Sequence, residues 1–165
     1  MRFVLGAVVG AATAAFLLGA SSATGSRNTL RCEAREPGPV KPVAGGPHPL
    51  VRSGATTLLL CRYRGLDPPR TALRLRSSRR ITNRADITSI AAALNRLPSS
   101  KAVFHCPMDD GSAIFATFTY SRGAETPVEI ELSGCRAVTG PYLPARSAAG
   151  SGGARLIARL ERLAR

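Results

Sequence analysis

Chemistry has few footholds in this chain of 165 residues, and the densest lies between His105 and Gly111. His105-Cys106 puts an imidazole next to a thiol, the composition of a nucleophilic thiolate and its base. Adjacent side chains on an extended strand point to opposite faces, so the two do not converge, and Cys106 has a better use in a disulfide. Asp109-Asp110-Gly111 offers paired carboxylates for acid–base work, or the opening of a calcium loop. No further oxygen ligands follow at the spacing such a loop needs, whereas Asp and Gly are the residues of a tight turn. The other histidine, His48, lies among prolines with no predicted partner. We therefore expect neither an enzyme nor a cofactor.

Met108 offers chemistry of another sort. It follows Cys106-Pro107 and precedes Asp109, in a segment expected to form an exposed loop. Proline restricts the backbone, and a disulfide at Cys106 would restrict it further. An apolar side chain held out on a stiff loop is what a substrate-like protease inhibitor presents to a specificity pocket, since preorganisation reduces the ordering cost of binding. A methionine tucked in as filler is the alternative use of the same residue.

The four cysteines frame that loop. Cys106 and Cys135 stand at the two bases of a predicted hairpin, and antiparallel strands bring such ends within bridging distance. Cys32 and Cys61 are then left to each other, tying the N-terminal part of the chain to the first strand. Each bridge closes a loop of about thirty residues, worth roughly 3–4 kcal/mol on the chain-entropy estimate. That matters in a chain with five Phe and no Trp. Structural zinc sites bring cysteines in close pairs, none of which occurs here, so no metal is expected.

A third candidate is the arginine cluster Arg62, Arg64, Arg70, Arg74, Arg76, Arg79, Arg80 and Arg84, in a chain of formal charge +13. Arg74, Arg76, Arg79 and Arg80 are its candidate anion-binding residues, and a basic balance favours anionic surfaces as partners. The competing reading is a solvated strand face. Only Tyr63 offers a stacking ring and no nucleic-acid module accompanies the cluster, so a nucleic-acid partner is not expected.

The elements that must position these residues follow from periodicity. Residues 24–50, rich in Pro and Gly, cannot hold a long helix or a central strand and read as an extended arm. Residues 51–165 read as a single α+β domain. Its first hairpin is predicted over 55–76, with strands from Ala55 to Tyr63 and from Thr71 to Arg76 around a Leu66-Asp67-Pro68-Pro69 turn. A helix is predicted over 84–97, capped by Asn83, with Asp86 in its first turn, Ile87, Ile90, Leu94 and Leu97 on one stripe, and Pro98 as its stop. A second hairpin spans 112–133, where Val128, Ile130 and Leu132 alternate with Glu129 and Glu131. A small-residue linker over 147–153 leads to a helix over 154–164.

The halves match at an offset of 57 residues through Tyr63/Tyr120, Leu75/Leu132, Arg79/Arg136 and Thr82/Thr139. Two ββα-like units are therefore expected, sharing one antiparallel sheet with both helices on one face and two disulfides. If the hairpins adjoin, Arg74 and Arg76 could face Glu129 and Glu131 across strands.

Met1-Arg2, the apolar run from Phe3 to Leu18 and the small residues up to Ala23 have the parts of a secretory signal peptide over residues 1–23, cleaved near Ala23. All four cysteines lie beyond it, as suits an oxidising compartment. Ser21 stands where a lipobox would need cysteine, so a secreted, extracellular product is expected.

Two families share features with this chain. Ala85-Asp86-Ile87, Ala93-Leu94-Asn95-Arg96-Leu97, Cys106-Pro107-Met108 and the hairpin to Cys135 resemble the helix, reactive loop and closing cysteine of the Streptomyces-type subtilisin inhibitors. The resemblance covers residues 85–135 and implies a reactive bond between Met108 and Asp109, with Pro107 beside it. The chain departs from that family at Arg84, where the family has a cysteine, at the charged Asp109-Asp110 pair, and in its terminal helix. The order of hairpin, helix, Cys106-Pro107, Asp110-Gly111, Gly134-Cys135, Val138-Thr139-Gly140 and Leu-rich helix also resembles small secreted proteins and lipoproteins of high-GC actinobacteria, from which no activity carries over. The expected function is a secreted, non-enzymatic binding module, with a serine protease inhibitor as the alternative. Its expected partner is an extracellular serine protease or another secreted protein.

Overall fold

The computed structural model describes residues 30–41, 49–65, 73–99, 106, 108–142 and 144–165. The predicted signal peptide, His48, the turn at 66–69, Arg70, His105 and Pro107 lie outside the described residues. Six strands and two helices follow in the order β1 (Ala55–Tyr63), β2 (Leu75–Ile81), α1 (Arg84–Asn95), β3 (Ala113–Tyr120), β4 (Glu125–Glu131), β5 (Ala137–Thr139), β6 (Arg146–Ser147) and α2 (Ser151–Leu163). The strands form one antiparallel sheet in the order β2-β1-β3-β4-β5-β6. The α+β class, the single sheet, the helices on one face and the pairings Cys32–Cys61 and Cys106–Cys135 are as expected.

Burial explains the composition of the central strands. Leu58 and Leu60 of β1 join Ile114, Ala116 and Phe118 of β3, Val128 and Ile130 of β4 and the apolar stripes of both helices in the main core. Leu59, Cys61 and Tyr63, with Ala113 and Phe115, point the other way into a second cluster. That cluster is covered by Leu30, Cys32 and Val40 of the N-terminal arm and by Leu73 and Leu75. A strand covered on both faces can carry a continuous apolar run, which accounts for Leu58-Leu59-Leu60. The Cys32–Cys61 bridge pins the arm there, and the Tyr63 hydroxyl donates to the Glu33 carbonyl at 3.1 Å.

The helices obey local rules. Asn83 Oδ1 accepts from the amides of Ala85 and Asp86 at 2.9 and 3.3 Å, satisfying donors the first helical turn leaves open. Ile87, Ile90 and Leu94 are buried beneath α1, and Leu97 stays buried just past its end. Leu156, Ile157 and Leu160 anchor α2. Arg159 of α2 donates to Asp86 and Ser89 of α1, both at 2.8 Å, and Arg62 of β1 pairs with Glu161 of α2.

Three expectations are corrected. The second strand begins at Leu75, later than predicted, and runs on through Ser77-Ser78-Arg79-Arg80 to Ile81. As an edge strand it pairs fully on one side only, so it needs few apolar residues and tolerates charge that guards the edge. The linker at 147–153 is shorter than predicted: β6 includes Ser147, and α2 starts at Ser151. Gly152 and Gly153 are helical, and a Cβ on Gly153 would lie 2.3 Å from the Ala148 carbonyl oxygen. Finally, β1 and β3 stand between β2 and β4, so Arg74 and Arg76 do not face Glu129 and Glu131.

The two units are related less simply than the sequence offset implies. Tyr63 pairs with Ala113 and Ala55 with Tyr120, placing the matched tyrosines at opposite ends of adjacent antiparallel strands. The match fails beyond that point. Leu75 opens β2, whereas Leu132 follows β4, and the second unit adds β5 and β6 before its helix.

Candidate functional site

The hairpin β3–β4 delivers the candidate site at its open end. Ala113 pairs with Glu131, and the Leu132 amide donates to the Ser112 carbonyl at 2.9 Å. Below this last rung the strands separate into two short loops, one with Cys106 and residues 108–111 and the other with residues 133–136. The Cys106–Cys135 bridge, with a Cα–Cα distance of 5.2 Å, joins them again.

Between rung and bridge the loop is held by polar contacts. Asp109 Oδ1 accepts from the Gly111 amide at 2.8 Å, and Asp110 Oδ1 accepts from the Ser112 amide and hydroxyl at 2.8 and 2.7 Å. The Asp110 amide donates to Ser133 Oγ at 3.1 Å, and the Ser133 hydroxyl reaches the carboxylates of both Asp109 and Asp110. The Ser112 and Ser133 hydroxyls, with the Ser112 amide, hold the Asp110 carboxyl below its usual range. A Cβ on Gly134 would lie 2.8 Å from Asp109 Cβ, so only glycine admits the two strands this close. The predicted turn chemistry of Asp109-Asp110-Gly111 is thus fulfilled, and the carboxylates serve the backbone.

Met108 stands at the head of this clamp, 91 % exposed, the one large apolar side chain left so among the described residues. Its φ is 69°, in the left-handed region that costs an L-residue roughly 1–2 kcal/mol. Arg136, just past the bridge on the other loop, is also left-handed with φ 50°. Glycine or asparagine would relieve such a position, so methionine here is not chosen for backbone comfort. Met108 is exposed, and the filler alternative does not describe it.

The arginines disperse. Leu60 pairs with Arg79 and Leu59 with Arg80, which sends those two side chains to opposite faces of the edge strand. Arg80 donates to the Leu30 carbonyl of the arm at 2.7 Å. Arg74 sits in a backbone bridge with Arg35, so the arm also shields the beginning of that edge. The four candidate residues Arg74, Arg76, Arg79 and Arg80 therefore do not converge on one site.

The acidic residues of β4 turn toward the arm. Glu129 accepts from the Val40 amide at 3.2 Å and Glu131 from the Ala137 amide at 2.9 Å. Burial pushes the Glu131 carboxyl up, the Ala137 bond opposes this, and Asp109 and Glu129 add to the rise. Glu36 of the arm is raised by burial and by Glu129. Burial, Glu33 and Glu36 push the Tyr63 hydroxyl up to about 12, so it remains a donor. No group of His, Cys, Asp and Glu among the described residues has the arrangement of a metal site.

Sequence reasoning found the bridge and the turn and expected Met108 in an exposed loop, and it missed Ser133 and Gly134 as the clamp's other half. Serine and glycine beside a cysteine carry no signal of their own until the register opposes them to Asp109 and Asp110. No family model matches the chain, and no curated protein or solved structure matches it either.

Proposed function

We propose that this protein is a secreted, disulfide-stabilised, non-enzymatic binding module that presents Met108 to a protein partner. The observation that carries the reading is the coincidence at one residue of near-complete exposure and a left-handed backbone. Exposing a methionine gains nothing from burial, and left-handed geometry adds a cost that folding alone would remove with glycine. Strain of this kind persists where the surroundings over-determine it, as the bridge and the Ser133 contacts do here. Two formed disulfides support an oxidising, extracellular setting.

The chain holds two methionines, Met1 and Met108, so protein lacking residue 1 carries a methionine-specific photo-crosslinker at Met108 alone. In secreted fluid we expect one saturable adduct, competed by unlabelled protein and not by Met108→Ala. Competition by Met108→Ala equal to that of the parent would defeat the assignment. Turnover of any substrate lost on the single change Asp110→Asn would defeat its non-enzymatic half.

The clamp on the Asp109 side of Met108 and the bridge on its other side favour one particular partner class, a serine protease. A loop so held would keep both ends in place after cleavage at Met108–Asp109, as the resemblance to subtilisin inhibitors implies. Extended peptides pair with an enzyme through their backbone, so Met108 would have to leave its left-handed geometry on binding. Stoichiometric inhibition of subtilisin, lost in Met108→Lys with the fold intact, is the required result. Digestion of the loop without inhibition excludes that enzyme as the partner.

A further inference from the structure

A polar cleft of about 450 Å³ opens beside the clamp, lined by Arg62, Arg64, Gly65, Arg76, Asp110 and Ser112. A one-residue irregularity builds it. Arg62 pairs with Ser77 but Tyr63 pairs with Leu75, leaving Arg76 without an opposite residue on β1. Such bulges re-aim a side chain, and this one puts Arg76 into the cleft with Arg62 and Arg64. Gly65 permits close approach on the other wall: a Cβ there would lie 2.4 Å from Asp110 Cγ.

The charges in the cleft are unbalanced. Arg62 is largely buried and paired with Glu161. Asp110 commits its carboxylate to Ser112 and Ser133, and no ion pair among the described residues joins it to an arginine. Arg64 and Arg76, which no ion pair among the described residues joins to a carboxylate, therefore set two positive charges against the one negative charge that Asp110 keeps in the cleft. Planar guanidinium forks match the oxygens of phosphoryl and sulfuryl groups, and two of them match a dianion.

We propose that Arg64 and Arg76, backed by Arg62, form a binding site for a tetrahedral dianionic oxyanion of the phosphate monoester type. The site is separate from Met108 and does not rest on the reading given to that residue. Inorganic phosphate and glycerol phosphate are the two probes, titrated calorimetrically into the oxidised protein at low salt. Saturable one-to-one binding is expected, weakened about tenfold by Arg64→Gln and by Arg76→Gln, as loss of a charge-assisted hydrogen bond implies. Arg79→Gln and Arg80→Gln remove the same charge outside the cleft and should change affinity less than twofold. Affinity should fall below about pH 6, where a phosphate monoester loses its second charge. Tighter binding of glycerol phosphate would identify an esterified end group as the ligand, and equal binding the free ion. Equal weakening by all four substitutions, or no saturation by either probe, would overturn the site and leave only diffuse surface charge.

Discussion

Replacing Met108 by glycine should make the protein more stable while removing its proposed binding. The backbone at Met108 has φ 69°, where an L-residue costs roughly 1–2 kcal/mol and glycine almost nothing. Glycine also loosens the unfolded chain, which takes back roughly 0.5–1 kcal/mol. The side chain is 91 % exposed, so its deletion forfeits almost no burial. The balance is a gain of about 0.5–1 kcal/mol, or a rise of roughly 2–4 °C in melting temperature for a domain of this size.

Met108→Ala is the matched control. It deletes the same side chain but keeps the left-handed cost, and should stay within about 0.5 kcal/mol of the parent. Urea unfolding of the oxidised protein, with slopes compared so that only midpoints move, reads all three. A loss of more than about 1 kcal/mol in both variants would contradict this balance, because it would show that the methionine side chain itself holds the loop. A gain in Met108→Gly, together with failure of both unlabelled variants to compete with cross-linking of the parent, is the mark of a residue kept for something other than folding.

Neighbouring glycines in α2 should respond with opposite sign: Gly152→Ala, with open space around its new methyl, gains up to about 1 kcal/mol from helix propensity, while Gly153→Ala meets the Ala148 backbone and loses about 1–3 kcal/mol in thermal melts. Removing the Cys32–Cys61 bridge by a double serine substitution should cost about 2–4 kcal/mol and release the arm, read as faster amide exchange on the Tyr63–Phe115 face. The raised carboxyls of Glu36 and Glu131 hold their protons to higher pH when folded, so their contribution to stability falls as pH rises from the ordinary 4.5 through their folded values. Glu131→Gln should flatten that part of the pH–stability curve. Asp110 acts in the opposite sense: its lowered carboxyl adds stability above its ordinary 3.8 that is lost as pH falls through the folded value, and Asp110→Asn should remove that acid-side slope.

What could be read from the sequence is what local physics determines. Asn83, the stripe from Ile87 to Leu94 and Pro98 specify α1 within a dozen residues, and the alternation of Val128 and Ile130 with glutamates specifies β4. Strands β5 and β6, of three and two residues, are too short for any period to register. Strand β2 hides for another reason, since an edge strand rich in serine and arginine buries little and so carries almost no apolar signal. The pairing proposed for Glu129 and Glu131 failed because strand order depends on which hairpin edges meet, and β1 met β3.

The arginines show how far that dependence reaches. One residue type, crowded within a short stretch, takes three unlike positions: Arg62 under α2 with Glu161, Arg80 against the arm, and Arg76 in the cleft with Arg64. Composition cannot separate them, because each is equally charged and equally long. Register can, since a slip of one residue exchanges the faces of every side chain along a strand. The bulge opposite Arg62 and Tyr63 is such a slip, confined to one position. Deleting Arg76 should therefore do more than remove a charge: it should restore regular pairing between β1 and β2 and leave Arg64 without the second guanidinium that a dianion needs.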